Sequence, residues 1–252
     1  MIRRVISPYA QDGFRVGFDW GPVGAEVVAG SLVAVVDVLS FTTAVTVAAD
    51  RGIDVYPYRW RDETAVAYAK QYDAVLAVGR SEAAPGDVSL SPVTIRQSTG
   101  VQRLVLPSPN GSTIAQQLSD SGATVIAVSL RNRAAAAAWV NERCAEDPDL
   151  KVVAIAAGER WKDGSLRPAV EDLWGAGGFL SALQLDGLSP EARAAKAAYD
   201  AVANELPVVL HECAGGRELT QYGFPEDVAI AAEVDSSRSV PVLRDGKMST
   251  ST

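Results

Sequence analysis

Asp37 closes an unbroken apolar run, Leu32 to Val36, and is followed by Ser40, Thr42 and Thr43 before an Ala/Val-rich segment. A carboxylate there can ligate a metal or act as a nucleophile, and the hydroxyls beside it can donate to an anion. Five apolar residues without alternation mark a strand buried on both faces, as in a parallel sheet. Ligands of open α/β sheets sit outside the carboxyl ends of such strands. The position also suits a plain helix cap, whose side-chain oxygen accepts an unpaired backbone N–H, and both readings stand at this point.

A second candidate lies where Leu104 to Leu106 runs into Pro107-Ser108-Pro109-Asn110-Gly111-Ser112-Thr113, with Ile114, Ala115 and Leu118 opening a helix. Gly111 lets the backbone approach a ligand, and N–H groups at a helix start attract anions. No lysine follows, so the signal is weaker than a P-loop, and Ser112 as a simple cap accounts for it equally well. Arg131-Asn132-Arg133 opens an alanine-rich helix. Arginines there oppose the helix dipole, which fits either a bound anion or ordinary solvated side chains.

The segment after the apolar run Lys151 to Ala157 holds the densest charge: Gly158-Glu159-Arg160-Trp161-Lys162-Asp163-Gly164. Pro168 is predicted at the first position of a helix packed through Val170, Leu173, Trp174, Gly177 and Leu180 or Ser181. Glu171 and Asp172 then fall in its first turn, off that face, where the dipole favours acids whatever else they do. With Glu159 and Asp163 they form an oxygen-only set that suits Mg²⁺ or Mn²⁺. Two phosphatase chemistries fit poorly. Aspartyl-phosphate enzymes need an acid two residues after the nucleophile, where Leu39 stands. Only three residues separate Cys213 from Arg217, too few to wrap a phosphate, so Gly215-Gly216 is read as a turn ending a helix. His211 is the only histidine, which rules out a multi-histidine metal site and makes any serine hydrolase depend on it.

These residues need a frame. Strands are expected at Arg15–Trp20, Leu32–Val36, Val55–Tyr58, Ala74–Val78, Leu104–Leu106, Thr124–Val128, Lys151–Ala157 and Val240–Val242. The helices between them include one capped by Asp62 and another by Ser189. Strand, helix, strand, helix, strand implies right-handed crossovers in a parallel sheet. The fold class is therefore α/β: a layered, mostly parallel sheet with helices on both faces. The chain reads as one unit over 1–252, or as two halves, 1–128 and 129–252. Residues 79–92 form a long Gly/Pro/Ser-rich loop, of a kind that is often functional, and the polar end from Lys247 is expected to fray. A net charge of −8 over 252 residues argues against nucleic acid or an anionic membrane as partner. No apolar run is long enough to span a bilayer, no signal peptide is evident, and the isolated Cys144 and Cys213 suggest no disulfide framework. A cytoplasmic location is expected, and a homo-oligomer is allowed.

Taken together, Asp37-Val38-Leu39 with Thr42-Thr43, Ser91-Pro92, Asn110-Gly111-Ser112, Asn132, the Gly-Glu segment at 158–159 leading to Glu171-Asp172, and the ending Gly223, Asp227, Asp235 and Val240-Pro241 resemble the 2-phosphosulfolactate phosphatase family, the ComB-like proteins. The resemblance spans roughly 33–241. It implies an α/β fold, Mg²⁺ dependence and hydrolysis of the phosphate monoester of a small acidic carboxylate, as in coenzyme M synthesis. It carries over Asp37, Thr42, Thr43, Asn110, Gly111, Asn132, Glu171 and Asp172 as site positions. On that basis Asp37, Glu171 and Asp172 would hold Mg²⁺. Asn110, the N–H groups of Gly111 and Ser112, and Arg80 or Arg131 would hold a small anionic phosphorylated substrate, with Glu159 as general base. Asp37 as nucleophile is a variant. Two departures stand out: Ser40 occupies a place where the family usually carries arginine, and Gly79-Arg80-Ser81-Glu82 keeps part of a Gly-Gly-Glu-Arg segment. The competing reading is a catalytically altered member that binds an acidic metabolite or a protein.

Overall fold

Buried apolar runs can satisfy their backbone groups only by pairing, and here they do so in one large sheet. The computed structural model describes residues 8–26, 30–59, 62–119 and 121–250. The elements in chain order are β1 (Val16–Trp20), α1 (Gly21–Ala25), β2 (Leu32–Val36), α2 (Phe41–Asp50), β3 (Asp54–Tyr58), α3 (Glu63–Gln71) and β4 (Val75–Leu76). Then come α4 (Pro92–Gln97), β5 (Arg103–Pro107), α5 (Gly111–Ser119), β6 (Thr124–Val128), α6 (Arg133–Glu146) and β7 (Val152–Ala156). A small hairpin, β8 (Glu159–Arg160) and β9 (Leu166–Arg167), leads to α7 (Val170–Ala182), α8 (Pro190–Asp200), α9 (Leu206–Glu212), α10 (Ala214–Gln221) and α11 (Pro225–Ala231). The described chain ends with β10 (Pro241–Arg244) and β11 (Lys247–Thr250).

The sheet has nine strands in the order β1-β7-β2-β6-β10-β11-β3-β5-β4. The first four are mutually parallel, as are β3, β5 and β4. Between the groups, β6/β10, β10/β11 and β11/β3 are all antiparallel. Three reversals leave the two parallel groups running in opposite senses. The fold is thus mixed α/β with a mostly parallel sheet. The crossover expected from β2 to a neighbouring β3 is replaced by the C-terminal hairpin, which inserts between them.

β2 is buried throughout, and its side chains alternate between two cores, as the two-residue period of a strand requires. Leu32, Ala34 and Val36 join a core with residues of α6, α7 and α8. Val33 and Val35 join another with Phe41, Val45, Leu104, Leu106, Ile114 and Met248. Asp62 and Ser189 cap α3 and α8 as their residue types suggest: Asp62 Oδ1 accepts from Thr64 N at 2.9 Å and Ser189 Oγ from Ala192 N at 3.0 Å.

Several local expectations are corrected. The strand near Ala74–Val78 is a two-residue edge element with Val75 exposed; it lies outside β5, with a strand partner on one side only. Pro168 precedes α7, whose cap is Ala169, because pairing of β9 with β8 keeps the chain extended up to it. Glu171 and Asp172 are not on an outer face: each is 3% exposed, while Val170 is 38% exposed. α7 is enclosed by the sheet and α8, so burial extends around it and includes its first turn. Gly215-Gly216 is no turn but the start of α10, where Cys213 Sγ accepts from Gly216 N. Ser112 does not cap α5; its hydroxyl donates to Leu106 O at 2.9 Å.

The C-terminal segment from Lys247 to Thr250 is a strand, not a frayed tail. It pairs with β10 and β3, Met248 is buried in the second core, and Lys247 pairs with Asp54. Met248→Ala is expected to destabilise the protein by about 2–5 kcal/mol, the range for truncating a buried methionine. Urea denaturation reads this directly, and an unchanged midpoint would return the segment to a loose tail.

Candidate active site

The parallel pair β2 and β7 ends side by side, with Asp37 following β2 and Gly158-Glu159 following β7. Asp37 is held by backbone. Oδ1 accepts from Ser40 N (2.9 Å) and Phe41 N (3.1 Å), and Oδ2 accepts from Gly111 N (2.9 Å). The carboxylate therefore caps α2 and α5 at once, and both helix dipoles favour its negative charge there. Gly111 is required by this approach, since a Cβ would stand 2.7 Å from Asp37 Oδ2 and 2.3 Å from Phe41 Cδ1. Thr42 fixes the same turn: its hydroxyl donates to Asp37 O at 2.8 Å and accepts from Asp37 N at 3.0 Å. Thr43 Oγ1 is buried with no partner among the described residues.

Asp172 repeats the device on the next loop. Its Oδ1 accepts from Val38 N at 2.7 Å and its Oδ2 from Gly158 N at 2.9 Å. Glu171 lies against Gly215, where a Cβ would meet Glu171 Oε1 at 2.2 Å, and its Oε2 is buried without a partner among the described residues. Glu159 Oε2 accepts from Asn110 Nδ2 at 2.9 Å.

The four carboxyls feel one another. Burial raises Asp37, against the N–H bonds from Phe41, Gly111 and Ser40 and the charge of Arg80. Burial also raises Glu171. Burial, then the charges of Asp37 and Glu171, lift Asp172 well above the carboxylate range. Glu159 is pushed up to about 7, by burial first and the Asp37 charge second, with Asn110 and Arg167 pulling the other way. Burial and the neighbouring Glu171 push the Cys213 thiol up to about 12, which keeps it a protonated, unreactive cap.

Beside the acids is a cavity of about 560 Å³ lined by Leu39, Arg80, Glu159, Gly215, Glu218 and Tyr222, among others. Arg80 Nε bonds Asp227 Oδ2 at 2.7 Å.

The structure thus brings together Asp37, Asn110, Gly111, Glu159, Glu171 and Asp172, with Arg80 at the cavity and the Ser40 backbone on Asp37. Other candidates are engaged elsewhere. Arg131 is buried against Thr46, Asp50 and Glu233. Asn132 bonds Ser129 N, Ala127 O and Ser239 O, tying β6 to the C-terminal segment. Asp163 is exposed at the hairpin tip, bonded to Ser165, and His211 is exposed on α9. Sequence reasoning passed over Arg167, whose charge acts on Glu159 and Glu171, and Gly215. The dense charge after β7 was the available signal for the arginine. For the glycine there was none.

An acid-lined cavity at the carboxyl ends of parallel strands is where α/β enzymes act on small ligands. The family model of 2-phosphosulpholactate phosphatase matches residues 24–246. A protein of Thermus thermophilus described as "Probable 2-phosphosulfolactate phosphatase" is 31% identical over 222 residues, which cover 84% of this chain and 88% of that relative. The chain belongs to the 2-phosphosulfolactate phosphatase family, and is a phosphoric monoester hydrolase of that type.

A carboxyl raised in the folded state binds protons that the unfolded chain releases, so stability falls as pH rises between the two pKa values. In metal-free protein, Glu159 places that loss between about 4.5 and about 7. Glu159→Gln is expected to flatten the decline across this window, measured by chemical denaturation at stepped pH. An identical slope in the variant would mean that Glu159 does not titrate there.

Proposed function

We propose that the chain hydrolyses the phosphate monoester of a small acidic hydroxy acid such as 2-phosphosulfolactate, with Mg²⁺ bound. The observation that carries the reading is the convergence of Asp37, Glu159, Glu171 and Asp172 at one end of β2 and β7, where Glu159 and Arg80 line the neighbouring cavity. Buried acids with raised pKa values are destabilising, and such groups concentrate where chemistry needs them.

The donor set fits Mg²⁺, a hard cation that prefers carboxylate oxygens and keeps several waters, so one or two protein ligands suffice. Among the described residues no three His, Cys, Asp or Glu side chains stand together as a metal-holding group, so the three-carboxylate set expected from the sequence is cut to two. Glu171, whose Oε2 is buried and unpaired among the described residues, would hold the ion with Asp37, whose Oδ2 accepts only the Gly111 N–H and keeps a lone pair. Asp172, bonded to Val38 N and Gly158 N, would shape the loops around them. Bound there, Mg²⁺ supplies positive charge to the phosphoryl oxygens.

The chain's own groups account for the rest. Glu159 Oε1 accepts a proton from the attacking water, whose oxygen bonds to phosphorus as the P–O bond to the hydroxy acid breaks. The same proton then passes to the departing alkoxide, leaving alcohol and inorganic phosphate. Burial, which disfavours the charged form of Glu159, suits a group that takes and returns a proton, and Asn110 holds it in place through Oε2. Water is favoured over Asp37 as nucleophile because Asp37 is committed to three backbone N–H bonds and to the metal.

The test is phosphate release from 2-phosphosulfolactate and a panel of phosphorylated hydroxy acids, with Mg²⁺ or EDTA. Release is expected to stop in EDTA and return with Mg²⁺. Glu159→Gln should lower kcat by about 10²-fold or more, the usual scale for a lost acid–base group, and Asp37→Asn should lower activity by weakening the hold on Mg²⁺. Release that ignores EDTA would remove the metal from the mechanism. Folded protein inert toward every substrate would favour the binding-protein alternative.

A further inference from the structure

Among the described residues, Arg80 is the only basic side chain lining the acid-rich cavity. It is also held with unusual care for a residue on a loop. Its Nε donates to Asp227 Oδ2, and Asp227, 2% exposed, accepts through Oδ1 from the Ser91 hydroxyl. Ser91 in turn caps α4, its Oγ accepting from Val93 N at 3.2 Å. The chain of contacts ties the loop of residues 79–92 to the first turn of α11. Asp227 and Ser91 line a neighbouring cavity of about 460 Å³, and Arg80 and Phe224 border both cavities. One end of the guanidinium is not consumed: Nη2 is buried and has no hydrogen-bond partner among the described residues. A buried charged donor without an acceptor is costly, and guanidinium matches phosphate and other oxyanions in shape and charge.

We propose that Asp227 is a positioning residue: with Ser91 it clamps the Nε edge of Arg80 so that the remaining guanidinium N–H groups meet an oxyanion of the substrate in the cavity. For the identity of that oxyanion, a phosphate monoester, the inference rests on the phosphatase reading. A free arginine would sample many rotamers and lose entropy on binding. One fixed in advance by a buried carboxylate has already lost it, which is the advantage of preorganisation.

The test uses inorganic phosphate as probe, with its affinity measured by calorimetry in the presence of Mg²⁺ for wild type, Asp227→Asn, Arg80→Ala and the double variant. Asn keeps the shape but faces Arg80 with an uncharged amide. Asp227→Asn is expected to weaken phosphate about tenfold, the scale of one charged hydrogen bond, and to raise KM for the phosphate monoester in parallel. The double variant should bind no worse than Arg80→Ala alone, because Asp227 acts only through the arginine. Equal affinity in wild type and Asp227→Asn, or additive losses in the double variant, would overturn the proposal. If Asp227→Asn does not fold, Ser91→Ala decides: it loosens Asp227 with every charge in place, and weaker phosphate supports the clamp while unchanged affinity overturns it. A wild type that binds phosphate through Arg80 yet releases none from any monoester would sink the phosphatase reading and leave the clamp standing.

Discussion

The carboxylate of Asp37 on the backbone N–H groups of Ser40, Phe41 and Gly111 is the contact that much of this structure depends on. It joins the start of α2 to the start of α5 at Gly111, 74 residues beyond Asp37. The two helices follow strands from groups that run in opposite senses. Asp172 does the same for the loops after β2 and β7, reaching back 134 residues to Val38. Buried acids are destabilising unless hydrogen-bonded. Here five backbone N–H groups answer two carboxylates, and helix dipoles add to them.

The same arrangement has an electrostatic consequence. Two acids satisfied by backbone are tolerated, but Glu159 and Glu171 bring two more charges to the same place, and all four pKa values are pushed upward. Arg80 and Arg167 offset this only in part. On the function proposed above, a metal ion arriving with the phosphorylated substrate would relieve this excess of negative charge. An overall charge of −8 is no obstacle to anion binding where Arg80 lines the cavity.

The C-terminal hairpin gives the acids their geometry from a distance. Because β10 and β11 stand between β6 and β3, the strand preceding α5 belongs to a group running opposite to β2, yet α5 still starts against Asp37. Residues from both groups share the core that includes Phe41, Ile114 and Met248, and Phe41 also lies beneath Gly111. Packing of that core and placement of the site are thus one constraint.

The sequence by itself determined most strands of continuous apolar character, though not the edge run Ala74–Val78, together with the cap at Asp62, the helix opened by Ser189-Pro190 and the place of Asp37 at a strand end, because each depends on residues close together in the chain. A run such as Leu32–Val36 reports its burial through its own composition, and a carboxylate at its end is conspicuous. Only the tertiary structure decided that Glu171 and Asp172 face inward, since periodicity describes one helix face and cannot anticipate a helix enclosed on several sides. It alone decided that Arg131 spends its charge on Asp50 and Glu233 while Arg80 reaches the cavity through Asp227. Two arginines of equal promise in sequence were separated by which carboxylates lay 81 to 147 residues away, and long-range pairing of that kind leaves no local mark. The polar residues after Lys247 became a strand for the same reason: β10 and β3 offered them unpaired backbone edges.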